Sequence, residues 1–238
     1  MEFFIRNIGE MVSAFTKRGK SAIKGDFVND YSKKIYLIAD CITFRRTHEK
    51  YGGLSNMAGG YPIYFEGNKI LTSEALYQAC RFPEYSEIQQ EIIMQRSPMT
   101  AKEVSRKYEH FTRKDWTDKR VSIMNWCIHM KLLYNWNKMG KLLQETKDKE
   151  IVELSSKDDF WGAYERGDYA EGCNVLGLLL KYVRKDYKLN QGKKYITLGC
   201  PDIKNFKFMG HTIGKIKVDI TQNYHFGETY NLFDDYGL

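Results

Sequence analysis

Along the 238-residue chain the spacing of apolar positions changes period several times, and each change predicts an element. Phe4, Ile8, Met11 and Phe15 recur at helical spacing, which predicts an N-terminal helix that docks on the core, a membrane surface or a partner. Glu2, Arg6 and Glu10 interrupt that stretch too often for a secretory signal. A polar turn around KGDFVND leads into the β-like run KKIYLIA. YPIYF alternates as a short strand does, and EGN after it reads as a turn. TSEALYQACRF has a helical period, with Thr72 or Ser73 as N-cap and Pro83 as the stop. SEIQQEIIMQ opens with a capping box that pairs Ser86 with Gln89. In SPMTAKEVSRK, Ser97 takes the N-cap and Pro98 the first helical position. A long helix is predicted from Asp115 to Tyr134, with Met124, Cys127, Ile128 and Lys131 on adjacent turns. A shorter helix ends near Glu145, IVEL reads as a strand, and an apolar helix begins near Asn174. After Tyr187 the segments YITLG, NFKFMG and KIKVDI, broken by Gly and Pro, read as short strands.

These elements predict an α+β fold, mainly α-helical with a few short strands. Residues 1–43 form an N-terminal helix and extension, residues 44–189 one dense unit, and residues 190–238 a small, basic, β-rich appendage packed on it. A composition of 42% apolar and 28% charged residues fits an ordinary globular chain able to bury a full core. No apolar run approaches the roughly 20 residues of a membrane span. The five cysteines are odd in number, dispersed and without a C-x-x-C pair, and the five histidines lack ligand spacing. Both facts argue against a metal site or a disulfide framework, and lead us to expect a reducing, cytoplasmic setting.

The net charge of +7 changes the picture because of where it lies. Ten basic residues between Lys181 and Lys217 face only Asp186 and Asp202, a local net of +8, so the remainder is nearly neutral. Tyr182, Tyr187, Tyr195, Phe206 and Phe208 are interleaved with them. Basic residues among aromatics suit phosphate contacts with base stacking. A solvated lysine-rich face is the commoner outcome of such a pattern, and both readings stand. On the first, Lys185, Lys188, Lys193 and Lys194 are the nucleic-acid contacts.

Candidate chemistry gathers in three places. Glu74, Gln78 and Arg81 fall at i, i+4 and i+7 on one polar stripe, opposite Ala75, Leu76, Ala79 and Phe82. A carboxylate in the first helical turn is also favoured by the helix dipole alone. Lys131 lies on the core-facing stripe of its helix, where a lysine either snorkels outward or enters a pocket. DDFWGAYERGDYAEGCNVLGLLLKYVRK, residues 158–185, sets two acids and a Trp-Gly pair before an apolar helix. That crowding suits a pocket rim, or a tryptophan plugging the core beside an acidic turn.

The order of these stretches is more specific than any one of them. YGGLSNMAGGYPI, TSEALYQACRF, SPMTAK, the DW…R…IM…C…KL series, DDFWG and GCNVLGLLLKYVR together resemble the NADAR family, named for NAD and ADP-ribose and typified by YbiA-like proteins. The resemblance spans residues 44–187, about 60% of the chain. It implies a mainly helical fold and hydrolysis of N-glycosidic bonds to a ribose phosphate, with no cofactor and no metal. Two substrate classes follow from it: ADP-ribose on the guanine amino group of DNA, left by an ADP-ribosyltransferase toxin in toxin–antitoxin or phage-defence settings, and ribosylamino-pyrimidine phosphates of riboflavin synthesis. The basic segment favours the first. A catalytically weak module that only binds ADP-ribose or nucleic acid is the third reading.

The resemblance assigns catalytic roles to Glu74, Lys131 and Asp159, and substrate binding to Asn56, Arg81, Trp116, Trp161, Gly162 and Asn174. In the expected chemistry Glu74 or Asp159 stabilises an oxocarbenium-like state or activates water. Trp116 or Trp161 stacks on the base, and Asn174 bonds an amide edge. Lys131 could trap a ring-opened ribose as an imine. Two departures stand out. Many members carry Lys where this chain has Arg81, which suits a bidentate phosphate contact. Many also carry a Gly-rich WGxGxDGxG where this chain reads WGAYERG.

Overall fold

The computed structural model describes residues 31–222. The predicted N-terminal helix and the acidic C-terminal end both fall outside that range. Within it, six helices and eleven short strands build an α+β fold.

A five-stranded mixed sheet lies at one side. Its order is β1 (Lys34–Leu37), β7 (Tyr169–Gly172), β6 (Ala163–Arg166), β5 (Ile151–Ser155) and β2 (Ile42–Phe44). β5 runs parallel to both β2 and β6, while β7 is antiparallel to β1 and β6. Because side chains alternate along a strand, β5 divides its residues between two layers. Val152 faces a small cluster with Ala163 and Ala170, whereas Ile151 joins the main core on the helical side. Glu153, two residues on from Ile151, points the same way as Ile151.

The helical layer is α1 (Ser73–Ala79), α2 (Ser86–Ile93), α3 (Pro98–Lys107), α4 (Trp116–Tyr134), α5 (Trp136–Glu145) and α6 (Val175–Asn190). Local chemistry explains most of their starts. Thr72 Oγ1 accepts from Ala75 N at 3.1 Å, and Ser97 Oγ accepts from Thr100 N at 3.1 Å with Pro98 at the first position. The expected capping box does not form: Tyr85 precedes α2 with no side-chain cap. Gln89 instead turns inward, donating to Ala79 O and Lys207 O and accepting from Met209 N at 2.7 Å. A buried amide that satisfies three backbone groups is worth more to the fold than a helix cap. α1 also ends at Ala79, before Pro83, so Arg81 lies just past its end. The EGN turn forms as expected between β3 (Ile63–Phe65) and β4 (Asn68–Ile70), with positive φ at Glu66 and Gly67.

Residues beyond Tyr187 join the same core. Phe206 packs edge-on against Trp126 at 5.2 Å, and Phe208 lies 5.2 Å from Phe65, which itself meets Trp126 at 5.7 Å. Both phenylalanines are buried, as is Tyr187, whose ring meets Trp136 at 4.8 Å. They cannot stack on bases, contrary to the expectation that interleaved aromatics would serve nucleic acid. Only Tyr195 among them is largely exposed, with Lys194 and Lys217 over its ring.

Candidate active site

Glu74 is the centre around which the polar groups are organised. Its helix starts beneath the loop that carries Asn56, and the Glu74 backbone N donates to Asn56 O at 3.0 Å. The side chain is 3% exposed and accepts from Asn56 Nδ2 on one oxygen and from Gln78 Nε2 at 2.8 Å on the other. Burial pushes its carboxyl pKa up, opposed by the Gln78 bond and by the charges of Lys102 and Arg81. From Gln78 the network continues outward. Gln78 Oε1 accepts from Ser105 Oγ at 2.7 Å and from Arg81 Nη1 at 3.2 Å, and Arg81 Nη2 reaches Thr112 Oγ1 at 3.1 Å. The predicted polar stripe is therefore an interior relay rather than a solvated face.

Aromatic rings wall this relay. Arg81 lies over Trp116 at 5.2 Å, Tyr77 meets Trp116 at 4.9 Å, and Trp161 stands edge-on to Tyr77 at 5.9 Å. Trp116, Trp161, Asn56 and Arg81 are all half-buried, so the buried carboxylate is ringed by groups partly open to solvent. The fold thus brings together Glu74, Asn56, Arg81, Trp116 and Trp161.

The other predicted residues are placed differently. Asp159 turns away to an ion pair with Lys33 at 2.6 Å, which holds its carboxyl below the usual range. Its neighbour Asp158 caps the turn, accepting from the backbone N of Phe160 and of Trp161, both at 2.9 Å. Asn174 has its amide engaged with backbone. Held in the left-handed region, it accepts from Glu153 N at 3.1 Å and donates to Ile151 O at 2.8 Å, clamping β5. Gly162 packs so tightly on β5 that a Cβ there would meet Glu153 O at 2.6 Å. Gly177 is pressed against Ile151 O and the Asn174 amide in the same way. Asn174 and Gly162 both hold the β5 backbone, Asn174 by its side-chain amide and Gly162 by close packing.

Lys131 is fully buried, as its stripe predicted, but its ammonium is already engaged. Nζ donates to Gly53 O at 2.6 Å and Ser55 O at 2.7 Å and lies 4.5 Å from the Tyr61 ring centre. Desolvation lowers its pKa to about 7. It pins the loop that delivers Asn56 to Glu74.

What the clamp on β5 positions is Glu153, a residue that sequence reasoning passed over. The Ser55 hydroxyl bonds its carboxyl, and Glu74, Asp158 and Lys102 all bear on it electrostatically. Burial, followed by the charges of Asp158 and Glu74, raises its pKa to about 7. The sequence carried no clear signal for it, since IVELS reads as any strand; only the pairing of β5 on both edges shows that this glutamate sits in an interior strand.

The predicted nucleic-acid contacts lie elsewhere. Lys185 and Lys188 line a groove of about 320 Å³ on α6 with Lys181, Arg184, Tyr182, Leu178 and Asp148. Lys188 pairs with Asp148 at 2.9 Å, Lys193 bonds Asn190 at 2.8 Å, and Lys194 faces Asp219 at 3.8 Å. Among the described residues no group of three or more His, Cys, Asp or Glu side chains is set to hold a metal, and no helix is long and apolar enough to cross a membrane.

The chain belongs to the NADAR domain family, whose model matches residues 43–188. Among known proteins it is similar to a riboflavin biosynthesis protein of Vibrio vulnificus, 34% identical over 158 residues, covering 66% of this chain and 41% of that one. It is also similar to an N-glycosidase of Nostoc punctiforme, 29% identical over 149 residues, covering 62% of this chain and 92% of that one. The chain thus spans well under half the length of the Vibrio protein. The NMR structure of the E. coli protein YbiA superposes with a TM-score of 0.55 at 30% identity, over 64% of this chain and 88% of that one.

Proposed function

We propose that this chain hydrolyses the N-glycosidic bond of a phosphorylated riboside, with a ribosylamino-pyrimidine phosphate as the favoured substrate. The observation that carries this is the buried Glu74 carboxylate, fixed by Asn56 and Gln78 and ringed by half-open aromatic and cationic groups. Breaking a C1–N bond builds positive charge on the sugar, and a pre-positioned carboxylate in a poorly solvated site stabilises that charge strongly. Trp116 and Trp161 supply flat faces for the base. Arg81 and Lys102 supply positive charge for the phosphate. The names of the Nostoc and Vibrio relatives, an N-glycosidase and a riboflavin biosynthesis protein, support the reaction class and the small substrate.

In this reading water attacks directly. Lys131 acts by holding the loop of Asn56, because both bonds of its Nζ point to backbone carbonyls, and an imine would have to break them. Asp159 takes no part in the chemistry.

A second substrate, ADP-ribose linked to guanine in DNA, is favoured by the basic groove on α6. Its other support has weakened, since Phe206 and Phe208 serve the core and several lysines are paired. The test is to incubate the protein with each substrate separately and quantify the released ribose phosphate or ADP-ribose. Turnover of the pyrimidine riboside alone is expected. Turnover of modified DNA alone would replace the favoured substrate, and binding of either without turnover would reduce the chain to a recognition module.

A further inference from the structure

Resting on the N-glycosidase reading, we propose that Glu153 is the second catalytic carboxylate, the acid that protonates the departing nitrogen while Glu74 serves the sugar side. Three features of the fold support it. First, Glu153 is delivered to this place on purpose-built backbone: Asn174 bonds its N–H, Gly162 leaves room against its carbonyl, and strand alternation turns its side chain to the helical layer. Second, the other acids nearby are already committed, Asp158 to the Phe160 and Trp161 amides and Asp159 to Lys33. Third, Glu153 and Glu74 have unlike surroundings. Glu74 has an amide donor on each oxygen, bonds that favour the ionised form against the burial that raises its pKa. Glu153 is half-buried, so it is more accessible than Glu74. It faces the negative charges of Glu74 on α1 and Asp158 in the β5–β6 turn, against Lys102 on α3 and the Ser55 hydroxyl. Burial raises both carboxyls; like charges add to the rise at Glu153, whereas the Gln78 bond and two positive charges oppose it at Glu74.

The C1–N bond breaks with its electron pair moving to nitrogen, and Glu153 gives that nitrogen its proton. Water adds to C1, and its proton passes to Glu74. The products are the free amine and the ribose phosphate, and one proton moved from Glu74 to Glu153 resets the site.

The test measures kcat/KM against pH on a ribosylamino-pyrimidine phosphate for the wild type, Glu153→Gln and Ser55→Ala, with thermal unfolding of each recorded. The wild-type rate is expected to fall as pH rises through about 7, where Glu153 loses its proton. Glu153→Gln should lose about 100-fold in rate and lack that alkaline limb. Ser55→Ala removes a bond that favours the ionised form, so its limb should move to higher pH with turnover still measurable. A folded Glu153→Gln protein with wild-type rate, or one that keeps the limb unmoved, overturns the proposal. If Glu153→Gln fails to fold, an unmoved limb in folded Ser55→Ala overturns it instead. A wild type that releases no ribose phosphate fails the functional reading and this proposal together, whereas a working wild type with an unaffected Glu153→Gln fails this proposal alone.

Discussion

At the Glu74 centre charge is held inside the fold by side chains from several parts of the chain, whereas along residues 181–217 it stands mostly at the surface in single pairs. Glu74 draws on the Asn56 loop and its own helix, and Gln78 extends the relay to Ser105, Arg81 and Thr112. Where lysines of the second region meet an acid they do so singly, as Lys188 meets Asp148 and Lys181 meets Glu150, in pairs open to water. Desolvating a carboxylate costs several kcal/mol unless hydrogen bonds offset it, so a fold that retains one has a use for it. An exposed ion pair is worth ~0–1 kcal/mol and tells little about function. Concentration of charge in a sequence is therefore a poorer guide to the site than burial of charge in the fold.

The contrast can be broken at the strand that carries Glu153. Asn174→Ala would leave Glu153 N and Ile151 O without their side-chain partners and would put alanine at a left-handed backbone position. Each unpaired buried group costs about 1–3 kcal/mol, so denaturant unfolding should show a loss of about 3 kcal/mol, the largest effect considered. Lys131→Met should cost about 2 kcal/mol, because Gly53 O loses its donor while Ser55 O keeps its bond from Ala58 N. KM should rise along with that loss, since the Asn56 loop slackens.

Glu153→Gln should act in the opposite direction. The folded pKa of about 7 lies above the ordinary glutamate value, so the folded state binds more protons than the unfolded state between about pH 4.5 and 7. Wild-type stability therefore falls as pH rises through that window, and the whole cost is present above it. The glutamine variant escapes this, and should be more stable than wild type by about 1–2 kcal/mol at pH 8, with no advantage at pH 4. Stability gained where activity is lost is the signature of a residue kept for chemistry.

Much of the fold could be read from local chemistry. The Thr72 and Ser97 caps, the EGN hairpin and the long helix from Trp116 to Tyr134 depend on neighbours in sequence, and each forms where the pattern placed it. Gln89 broke its pattern because its partners, Lys207 and Met209, lie about 120 residues away. The site divides along the same line. Glu74, Gln78 and Arg81 share one stretch, so their relay was visible as a stripe. The role of Glu153 depends on Ser55, Glu74 and Asn174 arriving from three other elements, and its own surroundings, IVEL, look like any strand. Asp158 and Asp159 look equivalent in sequence, while the turn sets one on the Phe160 and Trp161 amides and the other on Lys33. Phe206 and Phe208 misled because an aromatic beside lysines looks the same whether it faces solvent or Trp126.

The smallest stability change belongs to the basic region: neutralising Lys185, Lys188, Lys193 and Lys194 together should alter stability by less than about 1 kcal/mol. That variant, set beside Glu74→Gln, gives the most direct test of the account. The measurement is the initial rate of ribose phosphate release across a range of ribosylamino-pyrimidine phosphate concentrations, for the wild type and both variants. We expect Glu74→Gln to lose about 100-fold or more in kcat with KM little changed, and the lysine variant to match the wild type. A lysine variant that loses the activity, or a Glu74→Gln protein that keeps it, would contradict the placement of the chemistry at the buried carboxylate.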